Sequence, residues 1–95
     1  MLRIERWSRN TETDLTVIGH LNAENLAQLA GLVKSEPAGC QIVLDLSDLR
    51  LVDRDAVLFL ASCQAQRIEL KSCPAWVREW IRRESETRFP ATMVS

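Results

Sequence analysis

Apolar and polar positions alternate at the start of the chain: Leu2 and Ile4 are separated by Arg3 and Glu5, and Leu15, Val17 and Gly19 repeat the same period. A period of two marks a strand with one buried face. Trp7 breaks the first run and is placed at a strand end, while residues 8–14 (Ser-Arg-Asn-Thr-Glu-Thr-Asp) read as a polar turn. Two consecutive runs joined by a short polar link pair as an antiparallel hairpin. The period then changes. Leu26, Leu29, Ala30 and Val33 fall on one helical face, behind Asn22 as N-cap. Gly31 inside this helix costs about 1 kcal/mol relative to alanine, and Pro37-Ala-Gly39 ends it.

Residues 41–46 form a short, almost unbroken apolar run, the signature of a strand buried on both faces. A polar loop at 47–50 follows. Asp53 then caps a second helix with Ala56, Phe59, Leu60 and Cys63 on its inner stripe. Residues 67–71 alternate over a short, less buried strand. Pro74 stands at the first position of a third helix with Val77, Trp80 and Ile81 on its apolar face and Trp76 at the margin. The order is β-β-α-β-α-β-α. It predicts a single small α/β domain: an N-terminal hairpin, then alternating elements with right-handed crossovers, giving a mixed, mostly parallel four-stranded sheet with about three helices. The domain is expected over residues 1–87, with 88–95 as a poorly ordered C-terminal tail.

Composition narrows the function classes. Ninety-five residues, 46% hydrophobic and 26% charged, suffice for one modest core. A net charge of −1 gives no field to recruit nucleic acid, and the arginines at 78, 82, 83 and 88 are interleaved with Glu79, Glu84 and Glu86. No apolar stretch approaches the ~20 residues of a membrane span, and the alternating, Glu5-bearing N-terminus is unlike a signal peptide. A cytoplasmic location is expected. Cys40, Cys63 and Cys73 have no Cys-x-x-Cys spacing and only His20 to join them, so no metal site and no cofactor are expected.

In an open α/β fold, ligands gather at the edge formed by the carboxyl ends of the strands. Here that edge collects His20 and Asn22, Ser47 and Asp48, Asp53, Arg54 and Asp55, and Ser72 and Cys73. The N-terminus of the second helix favours an anion, which Asp53 and Asp55 supply. Arg54 opposes the helix dipole there, as either neutral surface or a partner contact. No Gly-rich phosphate loop or Gly-x-Ser-x-Gly elbow is present, and the chain is not expected to be an enzyme.

Three pieces in order carry a resemblance: Val17-Ile-Gly-His-Leu-Asn22, then Ile42-Val-Leu-Asp-Leu-Ser47, then Leu51-Val-Asp-Arg-Asp-Ala-Val-Leu-Phe-Leu60. Over about residues 2–84 the chain resembles a STAS domain (sulfate-transporter and anti-sigma-factor-antagonist family). The resemblance implies a bacterial-type, non-enzymatic protein-interaction module in signalling or transcription regulation, with an anti-sigma kinase or other regulator as partner. Alternatively it implies a cytoplasmic accessory subunit beside ABC-type or anion transporter subunits. Partner contacts would come from Asn22, Ser47, Asp53, Arg54 and Asp55. The family's Asp-Ser-Ser-Gly becomes Asp53-Arg-Asp-Ala56 here, so Asp55 stands where the family has its phospho-acceptor serine and the usual switch is absent. Asp55 is then either a partial mimic of the phosphorylated state, one charge where phosphate brings about −1.5 to −2, or an ordinary first-turn acid, the reading that Arg54 beside it favours. The stretch from Asp53 to Ile68 is also shorter than the family's usual helix and glycine turn. Trp76 or Leu58 as exposed anchors leave room for a homodimer.

Overall fold

The computed structural model describes residues Leu2 to Arg88, in the order β1 (Leu2–Arg9), β2 (Glu12–Leu21), α1 (Leu26–Ser35), β3 (Gln41–Asp45), β4 (Leu49–Val52), α2 (Arg54–Ala65), β5 (Glu69–Lys71) and α3 (Ala75–Arg88). The tail expected at 88–95 meets the described residues only at Arg88, which closes α3; the rest of it lies outside them.

β2 is the axis of the sheet. Its alternating Thr13, Leu15, Val17 and Leu21 are buried. β1 runs antiparallel along one edge from Leu2↔Gly19 to Arg9↔Glu12, so the hairpin closes on only Asn10 and Thr11. The strands therefore run through most of the expected polar turn, and Trp7 lies within β1. Asn10 takes φ 48° in that turn, a left-handed conformation that asparagine tolerates.

β3 pairs in parallel with residues 12–16 of β2, and β4 with 19–21. β3 and β4 are thus one extended path interrupted at residues 46–48, where Leu49 N donates to Leu46 O and Gly19 N donates to Asp48 O. β5 joins the outer edge of β3. The sheet consequently has five strands rather than four: the second half of the expected polar loop is a strand. A one-residue irregularity between Gly19 and His20 lets β2 follow both partners.

Both crossovers step the same way across the sheet, which for right-handed connections puts α1 and α2 on one face. There Leu15, Leu21, Leu29, Leu44, Leu46 and Leu60 are fully buried, each contributing about 1.5–3 kcal/mol. α2 buries Ala56, Val57, Leu60 and Cys63, while Phe59 is only half-buried; α3 buries Val77 and Ile81. The opposite sheet face carries Arg3, Glu5, Trp7, Asp14, Glu69 and Lys71, by their register with one another. At the hairpin end of the sheet, the Glu36 side chain is 3% exposed. It accepts from Arg6 Nε at 2.9 Å and Thr13 Oγ1 at 2.8 Å. Those two bonds, the arginine's first, hold its carboxyl below the usual range.

Helix ends correct the expectation in two places. α1 starts at Leu26 behind Asn25, not behind Asn22. Pro74 precedes α3, and its carbonyl accepts from Val77 and Arg78. The C-terminus of α2 explains the brevity of the segment before β5. Ile68 N donates to Cys63 O and Arg67 N to Gln64 O, the bond pair of a Schellman motif, with buried Ile68 and Cys63 as its apolar contact. Arg67, at φ 67°, occupies the left-handed position normally given to glycine. Arg67→Gly is expected to raise stability by about 0.5 kcal/mol, since relief of roughly 1–2 kcal/mol of strain is partly offset by a more flexible unfolded chain. A urea titration reads this as a higher midpoint at unchanged slope; a lower midpoint would contradict it.

Candidate functional site

The N-terminus of α2 is locked to the entry of α1. Asp53, extended at φ −106° and ψ −179°, caps α2 by accepting from Ala56 N at 2.9 Å through Oδ1. Its Oδ2 accepts from Ala23 N, also at 2.9 Å. The Ala56 N–H first, and that of Ala23 second, hold this carboxyl below the ordinary aspartate value. Asp53 N also donates to Leu21 O, extending the β2–β4 pairing. The cap role was readable in the sequence; the clasp on Ala23 was not, because nothing local signals it.

Asn22 organises the turn before α1 rather than the helix itself. Its Oδ1 accepts from Glu24 N and Asn25 N, and its carbonyl accepts from Leu26 N. Asn25 completes the turn: its Oδ1 accepts from Asn22 N and its Nδ2 donates to His20 O.

Arg54 is neither idle surface nor an unengaged cation. Its Nε donates to Glu84 Oε1 at 3.3 Å, and Trp80 Nε1 donates to Glu84 Oε2 at 3.2 Å. The first turn of α2 is thereby tied to α3, although the Arg54 side chain stays 67% exposed. Glu84 and Trp80 were missed as members of this edge, because their approach to Arg54 arises only when α3 folds back on α2. Asp55, on the next residue, is exposed and has no ion pair among the described residues. Arg54 is drawn towards α3, so Asp55 is the uncompensated charge of the first turn.

Ser47 belongs elsewhere. Its Oγ and N both bond Asp45 Oδ1, closing the turn between β3 and β4. The four residues of β4, about 13 Å of extended chain, separate it from Asp53. Ser47, Asp48 and Arg50 instead line a shallow depression of about 380 Å³ with Trp76. The five residues expected to meet a partner thus form two groups: Asn22, Asp53, Arg54 and Asp55 at the α2 N-terminus, and Ser47 apart from them.

Asp55 also lines a groove of about 860 Å³ between the α1 entry and α2, together with Leu26, Leu58, Phe59, Ala61 and, from α3, Ser85. No sequence pattern announced it; the half-buried Phe59, placed by period on the inner stripe, was the nearest signal. Trp7 at 66% and Leu51 at 56% are exposed as well as the expected Trp76 at 47%. Among the described residues, no cluster of histidine, cysteine and acidic side chains could hold a metal ion. No helix there is long and apolar enough to cross a membrane.

No family profile matches the chain, and no curated protein does. Solved structures do. One, described as a crystal structure analysis of Mglu, superposes with a TM-score of 0.56 at 17% identity, covering 75% of this chain. The chain spans only 19% of that protein's length. Another is an uncharacterised protein of the DUF3478 family with a SpoIIAA-like fold, from Shewanella loihica. It matches at a TM-score of 0.51 and 18% identity over 93% of this chain and 77% of its own. At such identities the likeness defines a fold and no more. The fold named there is SpoIIAA-like, a small α/β fold of the kind that the sequence resemblance implies.

Proposed function

We propose that this chain is a non-enzymatic, regulatory protein-interaction module that docks a protein partner through the N-terminal edge of α2, without a phosphorylation switch at that edge. The observation carrying the reading is Asp55: an exposed acid, without an ion pair among the described residues, on a helix start that is itself clamped from two sides, by Asp53 to Ala23 and by Arg54 to Glu84. A surface held this way meets a partner with little ordering cost. Asp55 also stands where the STAS resemblance places a phospho-acceptor serine, so phosphorylation of a serine cannot switch this position. The edge presents one fixed state rather than two.

The STAS-type fold supports a binding role, and the residues at this edge bring none of the paired nucleophile and base that chemistry requires. Affinity capture from the native host, comparing wild type with Asp55→Lys and with Glu69→Lys on the far sheet face, tests the reading. One stoichiometric partner retained by Glu69→Lys and lost with Asp55→Lys is expected. A partner recovered equally with Asp55→Lys would place docking elsewhere.

A further inference from the structure

We propose that β1 is a self-docking edge: two copies of this chain join β1 to β1, antiparallel about a two-fold axis at Trp7, and form one continuous sheet. Among the described residues β1 has a neighbouring strand on one side only, so alternate residues along its eight keep N–H and C=O groups without a strand partner. The edge strand at the other side, β5, has only three residues. Long edges are usually blunted by proline, a bulge or lysine. β1 contains neither proline nor lysine, and its register with β2 runs unbroken from Leu2↔Gly19 to Arg9↔Glu12. Its charges are answered within the chain: Arg3 by Glu5 at 2.9 Å, Arg6 by Glu36 at 2.9 Å and Arg9 by Asp14 at 3.8 Å. Arg6, Trp7, Ser8 and Arg9 are all exposed and alternate between the two sheet faces, so neither face is covered at this half of the edge.

Self-complementarity selects a second copy as the occupant and Trp7 as the centre. Strands paired antiparallel by a two-fold place directly opposed side chains on the same sheet face. Centred on Trp7, the register brings the two Trp7 side chains together and sets each Glu5 opposite Arg9 of the other copy, all on the face away from the helices. On the helix face, Arg6 meets Ser8. An aromatic pair and opposite charges are favourable cross-strand neighbours. The adjacent registers are poorer. Centring on Glu5 opposes the two glutamates, and centring on Arg6 opposes the two Arg6 side chains and sets Arg3 against Arg9. Centring on Ile4 leaves Trp7 outside the paired stretch. The chosen register therefore also covers Trp7, the most exposed large apolar side chain among the described residues. Residues 5–9 lie beside the start of β2, whereas Asp53 bonds to its last residue, Leu21. The dimer leaves the Asp55 edge open, and the inference does not depend on what docks there.

Sedimentation equilibrium and nuclear magnetic resonance of the full chain, from micromolar to millimolar concentration, test the proposal. The mass should approach twice that of one chain as concentration rises. The Trp7 indole N–H and the amides of residues 5–9 should shift with it, while those of Asp55 and Leu58 hold still. Trp7→Ser is expected to weaken association by about tenfold or more. Charge reversal reads the register. Glu5→Arg and Arg9→Glu should each stay monomeric, because each sets two like-charged pairs across the two-fold. An equal mixture of the two variants should dimerise again, because the reversed charges then face each other. Both residues sit in exposed ion pairs that add little to folding, and the wild-type series decides the surface even where a variant fails to fold. A chain that stays monomeric at millimolar concentration would overturn the proposal, as would concentration-dependent shifts that spare β1. Folded single variants that dimerise like wild type, or whose mixture stays monomeric, would overturn the register centred on Trp7.

Discussion

Asp53→Ala is expected to lower stability by about 2 kcal/mol, from an N-cap worth about 0.5–2 kcal/mol and a further bond to a charged acceptor worth about 1.5–3 kcal/mol before solvent competition reduces it. The melting temperature should fall by about 10 °C, since 1 kcal/mol corresponds to about 4–8 °C in a domain of this size. Asp53 Oδ1 satisfies Ala56 N, one of the N–H groups that α2 cannot satisfy internally, and Oδ2 closes the α1 entry onto α2 through Ala23. Asp53→Asn separates the two, because asparagine caps as well as aspartate but offers a single oxygen. It should lose roughly half as much.

The pH dependence follows from the lowered Asp53 carboxyl. Its contribution is complete above the ordinary aspartate value near 4 and is lost as pH falls through the lower value of the folded state. Wild type should therefore lose more stability than Asp53→Asn as pH falls from 5 to 3. Urea titrations of the three proteins at both pH values measure this. Equal stability of wild type and Asp53→Ala at pH 7 would show that the clasp contributes nothing in solution.

Cys63 should be nearly inert to thiol reagents at pH 8 as long as the domain is folded. Burial among the core side chains pushes its thiol up to about 12, against roughly 8.5 for a free cysteine. The thiolate is the reacting species, so its population falls by about three powers of ten, and steric exclusion lowers the rate further. Cys73, half-buried, is also raised by burial, partly opposed by Arg78. Mass-spectrometric mapping after alkylation should find Cys63 modified at least ~1000-fold more slowly than in the urea-unfolded chain. Comparable rates in both states would mean that α2 does not present Cys63 to the core. The sign for stability is opposite to that of Asp53: a thiol raised on folding costs stability as pH rises above the ordinary value near 8.5.

How far the sequence discloses this domain depends on the range of each signal. Period and capping are local, and they give α2 with Asp53 as its cap, the buried character of residues 43, 44 and 46, and Val77 and Ile81 as the inner face of α3. β4 has no legible signal, because a four-residue strand is shorter than the pattern needed to tell it from a loop, and its Arg50 and Leu51 are exposed. Asn22 reads as a helix cap because an Asx turn and an N-cap use the same residue type for the same bond; only Asn25, three residues on, separates them. At the candidate edge the residues that can be named from sequence are those of one turn, Asp53, Arg54 and Asp55. What each touches depends on chain thirty residues away in both cases, Ala23 for Asp53 and Glu84 for Arg54, and no period of two or 3.6 reports on that. Arg54 changes the most. As a cation beside Asp55 it weighs against mimicry of a phosphate; bonded to Glu84, it is tied to α3 and Asp55 is left exposed.

The central claim is that the partner meets the α2 N-terminus, and proximity can be read without disturbing the edge's bonds. A photo-reactive amino acid placed at position 55, and separately at position 69 on the opposite sheet face, should be irradiated in the native host. The account predicts one discrete cross-linked protein from position 55 and none from position 69. A cross-link from position 69 alone, or from neither, would contradict it.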